Sequence, residues 1–108
     1  MGANAPLPPR DADGFLLEQA DWNEHVATVL AREEGLTLTP AHWEILHMLQ
    51  HYYREHEHAP AMRALVNLTR RTLGPDKGRS VYLLGLFPGS PARMAAKIAG
   101  LPRPAHCL

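Results

Sequence analysis

The feature that most constrains this chain is the spacing of its prolines and glycines, which divide residues 21–100 into short segments. Proline suits the first turn of a helix, and glycine suits the position just past a helix end. Thr39-Pro40 and Ser90-Pro91 each combine an N-cap residue with a proline at the first helical position. Asp21 is the expected N-cap of the first helix. The pattern predicts five helices, over residues 22–34, 40–56, 60–73, 81–87 and 91–99.

Inside these segments apolar side chains recur at helical spacing. The second helix has a broad apolar face, and the third has an apolar stripe opposite a basic face made by Arg63, Asn67, Arg70 and Arg71. The sequence therefore predicts a small, mostly α domain in which the second and third helices form a helix-turn-helix-like pair. Four histidines have no metal-ligand spacing and are expected on the surface: His25, His42, His56 and His58.

The two ends of the chain differ from its middle. Residues 1–10 are rich in proline and alanine and are expected to be flexible. Phe15-Leu16-Leu17 follows the Asp13-Gly14 turn signal and is compatible with a short N-terminal β-hairpin. Residues 101–108 contain two prolines and cannot be helical, which predicts a mobile, extended C-terminal arm. Residues 11–100 then form one helical domain, as expected for 108 residues.

Composition and the lack of several motifs exclude whole classes of function. No apolar run approaches the roughly 20 residues that span a bilayer, and the first residues lack a charged and then apolar leader, so we expect a cytoplasmic protein without a signal peptide. The single cysteine, Cys107, excludes an internal disulfide and a cysteine-rich zinc site. No glycine-rich phosphate loop or serine triad pattern is present, and no cofactor is expected.

The net charge of zero conceals an uneven distribution. Residues 1–34 contain two cationic and seven anionic side chains, whereas residues 60–108 contain eight cationic side chains and the single acid Asp76. A cationic half suggests an anionic partner, such as RNA or an acidic protein surface. The alternative is that the two halves neutralise each other within the fold.

Cys107 is the most informative single residue. It is penultimate and lies beyond the last predicted helix, whereas a cysteine used for packing is more often in a core helix. Proteins generally avoid an exposed thiol that has no use. The neighbouring His106 and Arg103 would favour the reactive thiolate. The position predicts a thiol that a tail carries to the active site of a partner.

Two other interpretations compete with a reactive thiol. Glu44, His47 and His51 lie on one helical face, and one hypothesis is that they form the edge of a metal site. The alternative is that they are the solvated face of an amphipathic helix. The basic face of the third helix could contact phosphates, which would make the chain a nucleic-acid-binding helical module. A third alternative is an inert adaptor whose tail is only a docking peptide.

Several segments together resemble the DsrC/TusE sulfur-relay family over about residues 11–108. The most specific is the ending Leu86-Phe-Pro-Gly-Ser-Pro-Ala-Arg-Met-Ala-Ala-Lys-Ile-Ala-Gly-Leu-Pro-Arg-Pro-Ala-His-Cys-Leu108. The other matching segments are Asp13-Gly-Phe-Leu16, Trp22, Leu38-Thr-Pro-Ala-His-Trp-Glu44, Tyr52-Tyr53, Pro60-Ala-Met-Arg63, Lys77-Gly78 and Tyr82-Leu83.

The resemblance implies a helical fold with a small N-terminal hairpin and a penultimate cysteine that carries sulfur as a persulfide. In TusE-type members the sulfur comes from a TusBCD complex and passes to the tRNA 2-thiouridylase MnmA. In DsrC-type members a second cysteine serves dissimilatory sulfite reductase together with the first. That second position here is Ala96. The chain therefore resembles the single-cysteine, TusE-type branch, and a single-cysteine DsrC-like protein of dissimilatory sulfur metabolism is the alternative.

The resulting prediction is a transferase component rather than a stand-alone enzyme. Cys107 accepts and relays sulfur, while His106 and Arg103 tune the thiolate. An upstream TusBCD-like donor, a downstream thiolase or its tRNA complex, and direct tRNA contact are the expected partners. The side chains expected to dock them are Lys77, Arg79, Arg93 and Lys97. The chain departs from the family pattern at Val81, usually basic, and at Gly85, usually polar.

Overall fold

Within residues 7–105, five α-helices and one short 3₁₀ turn make up the regular structure. The computed structural model describes residues 7–105. The 3₁₀ turn spans Gln19–Asp21. The helices are α1 (Glu24–Glu33), α2 (Pro40–His56), α3 (Met62–Leu73), α4 (Ser80–Leu86) and α5 (Pro91–Ile98). The mostly α, five-helix fold is thus confirmed, and α2 and α5 begin at the predicted prolines.

The start of α1 differs from the prediction. Asn23 is its N-cap, and the side-chain oxygen of Asn23 accepts a hydrogen bond from the Val26 backbone N–H at 2.8 Å. Asp21, the expected cap, is instead the last residue of the 3₁₀ turn. Trp22 after it has an extended backbone, so the α-helix cannot begin before Asn23. The predicted N-cap is thus two residues too early, because the 3₁₀ turn occupies Asp21.

The connection between α2 and α3 is short and partly buried. Glu57 ends α2 in the left-handed region with φ 59°. The third helix begins at Met62 rather than at Pro60, because Pro60 is buried in the connection and Ala61 is still extended as the N-cap. The two helices contact each other, in agreement with the predicted helix-turn-helix-like pair.

His42 is buried, so the prediction of a surface position is wrong. Its Nδ1 accepts a hydrogen bond from the Thr39 backbone N–H at 3.0 Å, which completes a capping box at the start of α2. Its Nε2 lies 2.8 Å from the carbonyl oxygen of Leu86 and must carry the proton that is donated there. The ring also packs edge-on against Phe87, at 5.2 Å between centroids. One imidazole thus joins the start of α2 to the end of α4.

The last helix, α5, is the centre of the core. It contacts each of the other four α-helices. Its inward positions are mostly alanine, which lets neighbouring helices approach closely; the buried residues are Pro91, Ala92, Ala95, Ala96 and Ile98. Around them lie large, fully buried side chains from every other helix and from the N-terminal turn, among them Phe15, Leu30, Ile45, Leu65 and Leu83. Ala96, the position matched to a second family cysteine, has no exposed surface.

The predicted N-terminal hairpin is reduced to one bridge. Arg10 pairs with Leu16 in antiparallel orientation, outside any extended strand. The turn between them is held by the Asp11 carboxylate, which accepts hydrogen bonds from the backbone N–H groups of Asp13 and Phe15 at 2.9 and 3.0 Å. Pro8-Pro9 precedes Arg10 and lacks the N–H donors that a longer ladder needs. Among residues 7–105 no helix is long and apolar enough to cross a membrane.

Candidate functional site

The predicted site residues fall into three groups. Cys107 and His106 lie outside the described residues. Arg93, Lys97 and Arg103 gather around the N-terminal turn at residues 11–15. The remaining two, Lys77 and Arg79, lie at the start of α4. The structure therefore does not bring all the predicted docking cations together on one surface.

The root of the C-terminal arm is packed into the core. After α5 the chain turns at Gly100, whose φ is 76°, and the Leu101 backbone N–H donates to the Ala96 carbonyl at 2.9 Å. Trp22 covers this turn so closely that a Cβ on Gly100 would lie 2.5 Å from Trp22 Cδ1. Leu101 has no exposed surface, and Pro104 is also buried. The first residues assigned to the arm are thus held by the body of the protein.

An aromatic ring links the arm to α5 and to the N-terminal turn. The guanidinium of Arg93 lies 5.6 Å from the Phe15 ring centroid, and that of Arg103 lies 5.5 Å from it. Arg103 also forms an ion pair with Asp13. We call these four residues the arm clasp. Cation–π contacts of this kind contribute roughly 0.5–1 kcal/mol each at exposed sites.

Lys97, a predicted docking residue, lies next to the arm clasp and is held by contacts within the chain. Its Nζ donates to the Glu34 carboxylate at 2.7 Å, and its side chain is only 12% exposed. The stem of Lys97 covers Gly14, where a Cβ would lie 2.7 Å from Lys97 Cε. In this arrangement its charge is matched inside the chain and joins α5 to the end of α1.

The two cations near α4 are held differently. Lys77 donates to Glu44 at 2.8 Å, and this hydrogen bond raises the pKa of the lysine above its ordinary value. Arg79 is exposed and is the N-cap residue of α4. Lys77 therefore ties the loop before α4 to α2, while Arg79 presents its side chain to solvent.

The uneven charge distribution is partly neutralised within the fold. Three ion pairs join a cation of the C-terminal half to an acid of the N-terminal half: Lys77–Glu44, Lys97–Glu34 and Arg103–Asp13. Arg70 instead bonds to Asn67 at 3.2 Å and to the carbonyl of Gly78 at 3.0 Å. Neutralisation thus accounts for three of the eight C-terminal cations.

The helical face suggested as a metal edge is engaged in ordinary surface contacts. Glu44 holds Lys77, His47 Nε2 lies 3.1 Å from Glu24, and His51 lies 3.9 Å from Glu55 on the next turn. Within the part of the chain that the structure describes, no group of three or more histidine, cysteine or acidic side chains could hold a metal ion. This face is better explained as a solvated helix surface.

Comparison with known proteins decides the family. A family model described as "DsrC like protein" matches residues 6–108. The chain belongs to the DsrC-like family. A relative from Haemophilus influenzae named "Sulfurtransferase TusE homolog" is 48% identical over 98 residues, covering 91% of this chain and 90% of the relative. "Sulfurtransferase TusE" of Escherichia coli is 44% identical, with the same coverage.

Solved structures of the DsrC-like family share the fold. The solution structure of Allochromatium vinosum DsrC superposes with a TM-score of 0.84 at 43% identity, covering 92% of this chain and 88% of that one. The crystal structure of oxidized DsrC, the γ-subunit of dissimilatory sulfite reductase from Archaeoglobus fulgidus, has a TM-score of 0.80 at 37% identity. It covers 94% of this chain and 92% of its own. These matches confirm the resemblance inferred from the motifs.

Sequence reasoning missed the residues that position the arm. Phe15 was expected only as part of a short strand, yet it is 1% exposed and packs against two arginines. Gln50, a polar residue in the apolar face of α2, is buried, where it donates to the Ala99 carbonyl and accepts from Gln19 at 2.9 Å. A polar residue within an apolar stripe was the one available signal. Its partners are 31 and 49 residues away, so spacing could not have identified them.

Proposed function

We propose that this chain is a cytoplasmic sulfur carrier that accepts sulfane sulfur on Cys107 and relays it for tRNA 2-thiouridine synthesis. The observation that carries the proposal is the single cysteine, Cys107, which lies inside the family match over residues 6–108. The sulfurtransferase names of relatives 44–48% identical over nine-tenths of the chain support the same function.

The proposed chemistry needs one thiol and no cofactor. The Cys107 thiolate attacks the terminal sulfur of a donor persulfide. A new S–S bond forms as the donor S–S bond breaks, and the donor cysteine leaves as a thiolate with the bonding electron pair. The same exchange, with Cys107 now the leaving thiolate, passes the sulfur on. No external oxidant or reductant is consumed, because one persulfide replaces another.

The sulfurtransferase names of the curated relatives favour the relay over the dissimilatory alternative, whereas the cysteine count excludes only the two-cysteine type of DsrC. With Ala96 at the second family position, the chain cannot form an intramolecular disulfide or trisulfide. Ala96 is also fully buried among the helices, so a thiol there would be enclosed by the core. The likeness to DsrC structures supports the shared fold, which both branches of the family have.

The neighbouring charges would assist the thiol in two ways. His106 favours the thiolate as a nearby cation when protonated. Arg103 and Arg93 act through the arm clasp by holding the root of the arm against Phe15, which directs where the last residues leave the body. Arg79 and Lys77 would guide an acidic partner, a TusBCD-like donor or a thiolase bound to tRNA. Lys97 would mainly support the N-terminal turn.

A sulfur-loading experiment tests the proposal. The reduced protein is incubated with a cysteine desulfurase, L-cysteine and a TusBCD-type complex, and the C-terminal peptide is examined by mass spectrometry. We expect Cys107 to gain one sulfur atom, and Cys107→Ser to gain none while keeping its melting temperature. In bacteria lacking their own carrier, the wild-type chain should restore 2-thiouridine in tRNA and the variant should not. Restoration by Cys107→Ser would instead support the inert adaptor.

A further inference from the structure

We propose that the exposed side of α4 is a docking surface for an acidic protein partner of the sulfur relay, with an apolar centre made by Val81 and Leu84. The inference deepens the proposed function, because it assigns the surface through which a sulfur donor recognises the body of the carrier. Its strongest support is that α4 is apolar on both sides, while the rest of the protein covers only one of them.

The sequence of α4 is typical of a helix buried all round. No charged residue occurs between Arg79 and Arg93. A helix that is apolar on every side normally lies inside a protein. In the structure, only one side of α4 is covered: Leu83 and Phe87 have no exposed surface, whereas Val81 is 65% exposed and Leu84 is 43% exposed.

The exposed residues form one continuous stripe. Val81, Leu84 and Gly85 are all exposed, and Val81 lies three and four positions before the other two, so the three share one side of the helix. Val81 and Leu84 are two of the three exposed large hydrophobic residues in the described part of the chain. A Cβ on Gly85 would meet nothing within 4 Å, so no other part of the described chain covers the stripe at Gly85. Clustered apolar exposure of this kind marks an interaction site, whereas a single exposed leucine does not.

Positive charge surrounds the N-terminal end of the stripe. Arg79 is exposed at the N-cap of α4, and the Arg70 guanidinium is fixed near it by a 3.0 Å hydrogen bond to the Gly78 carbonyl. After Asp76 the sequence contains no acidic side chain. An apolar centre with a cationic edge complements an acidic protein surface. It fits nucleic acid less well, because Val81 and Leu84 offer no donors to phosphate or base edges.

The position of α4 relative to the arm suits a sulfur donor. The chain reverses at Gly100, and Arg103 shares the Phe15 ring with Arg93, which lies in the first turn of α5. The arm root thus returns toward the end of α5 that follows α4. A partner seated on α4 would lie beside the place where the chain leaves the clasp. Body docking and arm insertion could then act together, with the two contacts reinforcing each other's affinity.

The test compares two serine variants of the full chain. The probe is a purified TusBCD-type donor complex immobilised for binding measurements. Val81→Ser/Leu84→Ser is expected to weaken binding at least about tenfold, as for a central apolar contact. Leu17→Ser is the matched control, since Leu17 is 59% exposed but lies outside α4. It should stay within about twofold of the wild type. Arg79→Glu should slow association and reduce its salt dependence.

Separate readouts distinguish this inference from the proposed function. Loading of Cys107 by inorganic polysulfide needs no docking surface, so Val81→Ser/Leu84→Ser should load like the wild type. Failure of wild-type Cys107 to load from any donor would count against the sulfur carrier itself. Unchanged donor affinity in the α4 variant, or an equal loss in Leu17→Ser, would overturn the docking surface. Loss of self-association or of tRNA binding alone would also overturn it, in favour of a second copy or of RNA.

Discussion

The arm root and the outer side of α4 differ in the burial of their apolar side chains. Leu101 is completely buried although it belongs to a segment that the sequence presents as a tail. Leu84 is 43% exposed although it belongs to an almost wholly apolar helix. The comparison teaches that position along the chain does not decide burial. The arm root covers the core, and α4 offers a surface to something else.

The largest expected contrast comes from removing the two leucines. Leu101→Ala should lower the free energy of unfolding by about 2–5 kcal/mol, because Leu101 is fully buried and its truncation leaves a cavity in the core. Leu84→Ala should change it by less than about 1 kcal/mol, because Leu84 is 43% exposed and its truncation leaves no enclosed cavity. Urea unfolding followed by circular dichroism measures both. Equal effects of the two substitutions would contradict the burial contrast.

A second contrast uses one glycine from each region. Gly100→Ala should destabilise the fold by about 1–3 kcal/mol, because φ is positive there and the added methyl meets Trp22. Gly85→Ala should stabilise it by about 0.5–1 kcal/mol, because Gly85 lies inside α4 with open space around it. The same unfolding experiment gives both values. A stable Gly100→Ala variant would show that the turn into the arm can relax.

The arm clasp should control mobility more than stability. Asp13 and Arg103 are each about half exposed, and a pair of this kind contributes only about 0.2–1 kcal/mol. A double-mutant cycle with Asp13→Asn and Arg103→Gln should find a coupling within that range. Phe15→Leu should keep the fold while removing the cation–π contacts. Amide exchange at Ala105, which unlike Pro102 and Pro104 carries a backbone N–H, should become faster in Arg103→Gln, and unchanged exchange there would mean that burial of Pro104 alone holds the arm.

The smallest effect is expected from the pair that anchors the loop before α4. The hydrogen bond to Glu44 raises the pKa of Lys77 above its unfolded value. Its contribution to stability is therefore complete below the unfolded pKa, about 10.4 for lysine, and is lost as the pH rises through the folded pKa. Melting temperatures of the wild type and Glu44→Gln should differ slightly at pH 8 and converge as the pH rises through the folded pKa of Lys77, above its ordinary value. A difference in melting temperature that widened as the pH rose would contradict the predicted loss of this stabilisation at high pH.

Much of the fold was accessible from local signals. Thr39-Pro40 and Ser90-Pro91 marked the starts of α2 and α5, because a proline at the first helical position acts through its own ring and the missing N–H. The prediction that Asp21 caps α1 used the same kind of local signal and was wrong. Asp21 is a good N-cap residue by itself, but the preceding 3₁₀ turn and the extended Trp22 moved the helix start to Asn23.

What the sequence by itself determined was the set of helices, the single thiol and the family, because each depends on residues that are neighbours along the chain. What only the tertiary structure decided was where side chains find distant partners. The buried His42 donates a hydrogen bond to the carbonyl of Leu86, 44 residues away, and Lys97, a predicted docking residue, is paired with Glu34. The exposed side of α4 is also visible only in the tertiary structure. An apolar pattern indicates which residues can be buried, and packing decides which face of the helix the rest of the protein covers.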